Sequence, residues 1–209
     1  MRPLLPLLLL ISIQVNSQEK LDVGKVIADK NFNCNNYTFI DPLYGSRSFI
    51  DSLYGIKNIC ESKNKIEIRF TTSYAPTPTF DIIILSYDNN KWSGRKFEFN
   101  TDTLYYDSTL NAEEGKVVVS RIKINEEFDS LVNLLTKNNL FSLPNLNKIK
   151  NKPDGPTCGL IHSLTFKVDN NYRTYQFANI EYYTEHSKKK IFKNYYNVFE
   201  ILTQRLEKE

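Results

Sequence analysis

Two spacings of apolar residues divide the C-terminal part of the chain. Leu160, Leu164, Phe166 and Val168 fall on one period-two phase, and a second β-rich run, Tyr172-Arg-Thr-Tyr-Gln-Phe177, follows Asp169-Asn170-Asn171. Asp and Asn tolerate left-handed backbone, so the triplet predicts a hairpin turn. Alternation sends Tyr172, Thr174 and Gln176 to one face and Arg173, Tyr175 and Phe177 to the other. Both faces carry aromatics, so the pattern does not say which is buried. From about Ser187 the period lengthens. Ile191, Tyr195, Val198, Phe199, Leu202 and Leu206 make one helical stripe and leave Lys188, Lys189, Lys190, Lys193, Asn194 and Arg205 to the solvated sides. Such a helix gains stability by lying on a sheet, and the hairpin before it is the nearest one.

The middle of the chain repeats the theme. Ile66, Ile68 and Phe70 alternate with Glu67 and Arg69, which predicts a half-buried strand from Lys65, with 71–79 as a loop containing Pro76 and Pro78. Phe80 to Tyr87 is nearly all apolar and reads as a central strand. Asp88-Asn89-Asn90 turns it into Lys91-Trp92 and on to Arg95–Phe99, the same device as at 169–171. Leu104 to Tyr106 is a possible short strand, 111–115 a loop, and Val117–Val119 with Ile122 and Ile124 another strand. Asn125 can cap a helix that carries Glu126 and Glu127 in its first turn and Phe128, Leu131, Val132 and Leu135 on its buried stripe, ending by Pro144. A polar loop, 145–159, leads to the second hairpin. The expected fold is α+β: an antiparallel sheet built from hairpins, with two amphipathic helices packed mainly on one face. It occupies residues 63–209 as a single domain, after an irregular segment, 18–62.

Residues 1–17 stand apart. Arg2 precedes an apolar run from Leu4 to Val15, and Val15-Asn16-Ser17 has the small-residue spacing of a signal-peptidase site, so the mature chain is expected to start at Gln18. The alternative is a retained anchor, but the apolar run falls short of the roughly 20 residues a span needs. No stable membrane anchor is expected, and no Cys stands where a lipoprotein anchor would attach. The expected location is periplasmic or extracellular. Inside 18–62, Phe39-Ile-Asp-Pro-Leu-Tyr-Gly45 is echoed by Phe49-Ile-Asp-Ser-Leu-Tyr-Gly55; two short copies fall short of a solenoid. Asn36-Tyr37-Thr38 is a formal glycosylation sequon.

Charge adds little. The chain of 209 residues has 27 Lys and Arg against 24 Asp and Glu, a near-balance that gives no case for nucleic acid. The one local excess, Lys188-Lys189-Lys190 with Lys193, is most simply a solvated helix face, with a polyanion or membrane-surface role as the alternative. Cys34, Cys60 and Cys158 are an odd set for an oxidising compartment. Cys34–Cys60 is the disulfide candidate, with Cys158 then free; the other pairings stay open.

Several stretches taken together carry a resemblance: Ser86-Tyr-Asp-Asn-Asn-Lys-Trp92 with Phe97-Glu-Phe99, Leu134-Leu-Thr-Lys-Asn-Asn-Leu-Phe-Ser-Leu-Pro-Asn145, Asp154-Gly155, and Tyr172-Arg-Thr-Tyr-Gln-Phe-Ala-Asn179. Over roughly residues 80–206 this resembles small exported proteins of unknown function from Bacteroidota, with Ile180 where Pro would be expected after Asn179. The resemblance implies an envelope or secreted setting and transfers no catalytic residue.

Chemistry is sparse. There is no Gly-x-Ser-x-Gly, His-Glu-x-x-His, phosphate loop or calcium loop. Cys158 and His162 lie about 13 Å apart on an extended strand, too far for a thiolate–imidazole pair unless Gly159 bends the chain. His186 with Glu181 and Glu185 lacks a further ligand, so neither metal nor cofactor is expected. Glu113-Glu114 and Glu126-Glu127 are adjacent and do not face each other. What remains is 13 Tyr, 13 Phe and one Trp. Tyr44, Tyr54, Trp92, Tyr105, Tyr106, Tyr182 and Tyr183 fall at turns or strand ends, where aromatics either roof the core or contact a ligand. Trp92, Tyr105, Tyr106, Tyr182 and Tyr183 are the candidate binding residues. The leading expectation is a non-enzymatic domain that binds protein or glycan; the alternative is an envelope hydrolase with carboxylates dispersed in sequence, acting on glycan or peptide.

Overall fold

A computed structural model of the chain describes residues 21–34, 40–41, 45–46, 56–74, 80–100, 116–121, 128–156 and 159–204. Six strands form one antiparallel sheet: β1 (Ile66–Tyr74), β2 (Phe80–Asp88), β3 (Lys91–Asn100), β4 (Lys116–Arg121), β5 (Leu160–Val168) and β6 (Asn171–Ala178), in the order β4-β3-β2-β1-β5-β6. Three helices accompany it: α1 (Phe128–Lys137), α2 (Ile180–His186) and α3 (Lys190–Gln204). The fold is α+β. The short helix α2 was not foreseen, because seven residues are too few to display a helical period.

The two hairpin turns differ. Asn89 and Asn90 both have positive φ, the geometry of a primed two-residue turn that matches strand twist, whereas at the second hairpin only Asp169 does. Strand β1 runs on through Thr71-Thr-Ser-Tyr74, where the sequence suggests a loop. It is sandwiched between β2 and β5, and pairing on both sides carries its polar end along.

One face of the sheet presents Ile66, Ile68, Phe70, Ile83, Leu85, Leu164, Phe166, Tyr175 and Phe177, and these share one buried cluster with Leu131, Val132 and Leu135 of α1 and Phe192, Tyr195, Val198 and Leu202 of α3. The return strand therefore buries Tyr175 and Phe177, and the hydroxyl of Tyr175 donates to the Leu140 carbonyl at 2.9 Å. On α3 the stripe is rotated from the expected one. Phe192, Asn194 and Ile201 are buried while Ile191 and Phe199 are partly exposed, because α2 packs beside α3 and closes a side that would otherwise be wet.

The opposite face is closed too, which corrects the half-buried reading of β1. Glu67 and Arg69 are only 3% and 2% exposed. They lie under residues 56–64, whose single 3-10 turn (Ile59–Glu61) is capped by the Asn58 side chain accepting from the Cys60 amide. Cys34 is bonded to Cys60, and Asn58 Nδ2 donates to the Cys34 carbonyl at 2.8 Å. The preceding stretch, 21–34, is a strap. Leu21, Val23 and Val26 pack on the helix-side cluster, the Ile27 amide donates to the Phe141 carbonyl, and Phe32 stacks on Tyr172 of the other face. It thus rounds the β6 edge. There the Asp29 amide donates to the Tyr172 carbonyl, Asp29 Oδ2 accepts from the Thr174 amide, and Asn145 Oδ1 accepts from the Gln176 amide.

Candidate functional site

The five candidate aromatics do not form one site. Tyr105 and Tyr106 lie outside the described residues, as do Tyr44, Tyr54, Cys158 and the leader 1–17. Trp92 is half-buried against Tyr87, with ring centroids 4.9 Å apart. Its cross-strand row runs through Tyr87, Ile66 and Val168 to Asn171, the first residue of β6, while α2 begins just past the last. Trp92 and Tyr182 are thereby separated by roughly 20 Å along the strands and a similar distance across them. Tyr183 is a core residue: 5% exposed, stacked on Phe192 at 5.2 Å. Tyr182 is the one that stays half-exposed among the described candidates beside Trp92.

Tyr182 stands on a built corner. The helix starts at Asn179, held in left-handed backbone, whose side chain donates to the Pro156 carbonyl at 3.1 Å. One turn later the His186 ring lies against that of Tyr182, at 4.1 Å and 18°, and its Nδ1 donates to the Tyr182 carbonyl at 2.9 Å. Loop 146–156 is pinned to the same corner. The Lys189 ammonium donates to the carbonyls of Lys150 and Asn151, Lys152 sits 5.5 Å over the Tyr183 ring, and a Cβ at Gly155 would collide with the Tyr183 hydroxyl. Only glycine permits that approach. Two lysine-bearing segments some forty residues apart thus share one surface. The sequence shows each; nothing in its periodicity joins them.

Other titratable groups serve packing. His162, on the phase of Leu164 and Phe166, is wholly buried among Phe70, Phe177 and Phe199. Thr72 Oγ1 lies 3.2 Å from its Nδ1, and Nε2 has no partner among the described residues. Burial pushes its pKa down to about 3, so the ring is neutral. On the opposite face, Arg69 donates to Glu67 Oε1 at 2.7 Å and to the Lys57 carbonyl at 2.6 Å; Glu67 Oε2 accepts from Asn64 at 2.7 Å and from the Ser62 hydroxyl. Lys167 reaches the Ser62 carbonyl. Glu98 and Asp81 are cross-strand neighbours that both hold Lys96, at 2.8 and 3.4 Å. Burial alone would lower the Lys96 ammonium, but the hydrogen bond and charge of Glu98, with Asp81, outweigh it and hold it above its ordinary value.

Among the described residues no three His, Cys, Asp or Glu side chains converge as a metal site, and Glu181, Glu185 and His186 on α2 are no exception. Nor is any described helix long and apolar enough to cross a membrane. A scan against protein-family models and a search of curated proteins both found no match for this chain.

Proposed function

We propose that this chain is an exported, non-enzymatic binding protein that takes a protein or glycan ligand, with export directed by residues 1–17 and the setting that of the small exported Bacteroidota proteins it resembles. The observation that carries the reading is the Tyr182–His186 stack. It is a half-exposed aromatic pair backed by the core and by Tyr183, edge-on at 5.6 Å, at a corner where Asn179, Gly155 and Lys189 hold loop 146–156. A ring held in place before binding loses little entropy on meeting a ligand, and its apolar face with a polar rim suits sugar or protein surfaces.

A panel of envelope glycans and purified exported proteins, titrated calorimetrically against the protein, tests this. A saturable ligand should lose at least threefold in affinity with Tyr182→Ala and keep it with a change at Tyr172, on the far face. Ligands indifferent to Tyr182 would sink the assignment. The hydrolase alternative rests on Asp81 and Glu98; glycan or peptide turnover abolished by Asp81→Asn or Glu98→Gln would replace the binding reading with it.

A further inference from the structure

Loop 146–156 and residues 179–193 together carry Lys148, Lys150, Lys152, Lys188, Lys189, Lys190 and Lys193 against Asp154, Glu181 and Glu185. That excess of four exceeds the +3 of the entire chain, so everything outside this corner is net acidic. Six of the seven lysines are exposed; Lys152 is half-buried. Among the described residues none of the seven is in an ion pair. The lysines are also held together rather than left to repel: Lys189 is tied to the loop backbone and Lys152 lies over Tyr183. Helix α3 begins at Lys190 with no acid in its first turn, so the helix dipole adds to the positive field. Like charges gathered in excess over their counter-charges weaken the free protein, and an anionic partner relieves that cost.

We infer that this corner binds an acidic polysaccharide, its carboxylate or sulfate groups on the lysines and a sugar face against Tyr182. The inference rests on the binding-protein reading above and names the ligand class. Two features favour a polysaccharide over an anionic membrane. The corner carries a half-exposed aromatic pair, Tyr182 with His186, on the helix that leads into Lys188–Lys190, which suits a sugar. It offers no apolar wedge: among the described residues the one exposed large hydrophobic is Ile27, on the strap, whereas interfacial binding needs apolar side chains that enter the acyl boundary.

The test uses the disulfide-intact protein with heparin, polygalacturonate, neutral dextran, vesicles containing phosphatidylglycerol, and a short DNA duplex. Both acidic polysaccharides should bind and dextran should not. The variant Lys148→Gln/Lys150→Gln/Lys188→Gln/Lys190→Gln/Lys193→Gln, which spares the two packed lysines, should bind at least tenfold more weakly with a shallower salt dependence; Tyr182→Ala should lose about threefold. A variant of equal net charge altered at the exposed Lys25, Lys30, Lys57, Lys63 and Lys91 should stay within twofold. Equal loss in the two lysine variants, tighter binding to vesicles or DNA, or no polysaccharide binding overturns the inference. A Tyr182-dependent protein or neutral glycan ligand that ignores the lysines overturns it too, and leaves the binding-protein reading standing.

Discussion

Neighbouring residues of β1 point into two dissimilar interiors. Ile66, Ile68 and Phe70 meet aliphatic and aromatic side chains of the helices, while Glu67 and Arg69 meet each other, Ser62, Asn64 and the Lys57 carbonyl. Both sides exclude water. On the helix side, cohesion is spread over many interchangeable contacts, and loss scales with the volume removed. On the other side a few charged and polar partners sit beside buried Ile56, Ile59, Ile82, Ile84 and Phe97, and a charge left there without its partner costs far more than the pair contributes. Helices can cover a sheet by apolar stripe alone; an irregular segment such as 56–64 brings unpaired backbone carbonyls, and buried donors answer them.

The sharpest way to break this contrast is at Glu67. Glu67→Ala should cost about 3–5 kcal/mol in urea unfolding, because Arg69 stays buried without the carboxylate. The joint replacement Glu67→Leu/Arg69→Met should recover most of that loss. If the single and joint variants are equally unstable, the polar interior is not organised by pairing. Removing the disulfide with Cys34→Ser/Cys60→Ser comes next. For 26 residues of separation, loop-closure entropy predicts about 3.5 kcal/mol, and amide exchange should quicken at Glu61 and Ser62 before it does in α3. Uniform quickening would mean that the two interiors melt as one.

On the helix side the effect is graded with pH and is the smallest of the three near neutrality. His162 has a folded pKa of about 3 against about 6.5 unfolded. Between those values the unfolded chain binds the extra proton, so stability is complete above pH 6.5 and falls by about 1.4 kcal/mol per unit as pH drops toward 3. His162→Phe should flatten that slope while costing about 1 kcal/mol at pH 7 through the lost Thr72 contact. An unchanged acid slope in this variant would place the titrating group elsewhere.

The strands with clear alternation or a continuous apolar run, β2 and β5, were legible in the chain, as was the stripe of Leu131, Val132 and Leu135. Glu67 and Arg69 were not, because alternation reports which residues are polar and says nothing of what covers them. His162 sat on an apolar phase in plain view; its place in the core follows from phase alone once β5 is drawn through it. Tyr183 and Tyr182 are sequence neighbours with opposite fates, decided by α2, a helix too short to announce itself. The lysine corner needed two segments brought together by Asn179, Gly155 and Lys189, contacts that no local pattern encodes.

The strap has a consequence for copies of this chain that meet at high concentration. A bare outer strand is a template on which another chain can add a strand, the first step of fibrous polymerisation. Along β6 the Thr174 and Gln176 amides are taken by the side chains of Asp29 and Asn145, and the Tyr172 carbonyl by a backbone amide. An incoming strand finds these rungs already occupied. Asp29→Ala would reopen one rung and also take the counter-charge from the buried Arg173, 3.8 Å away, freeing that edge to seed growth.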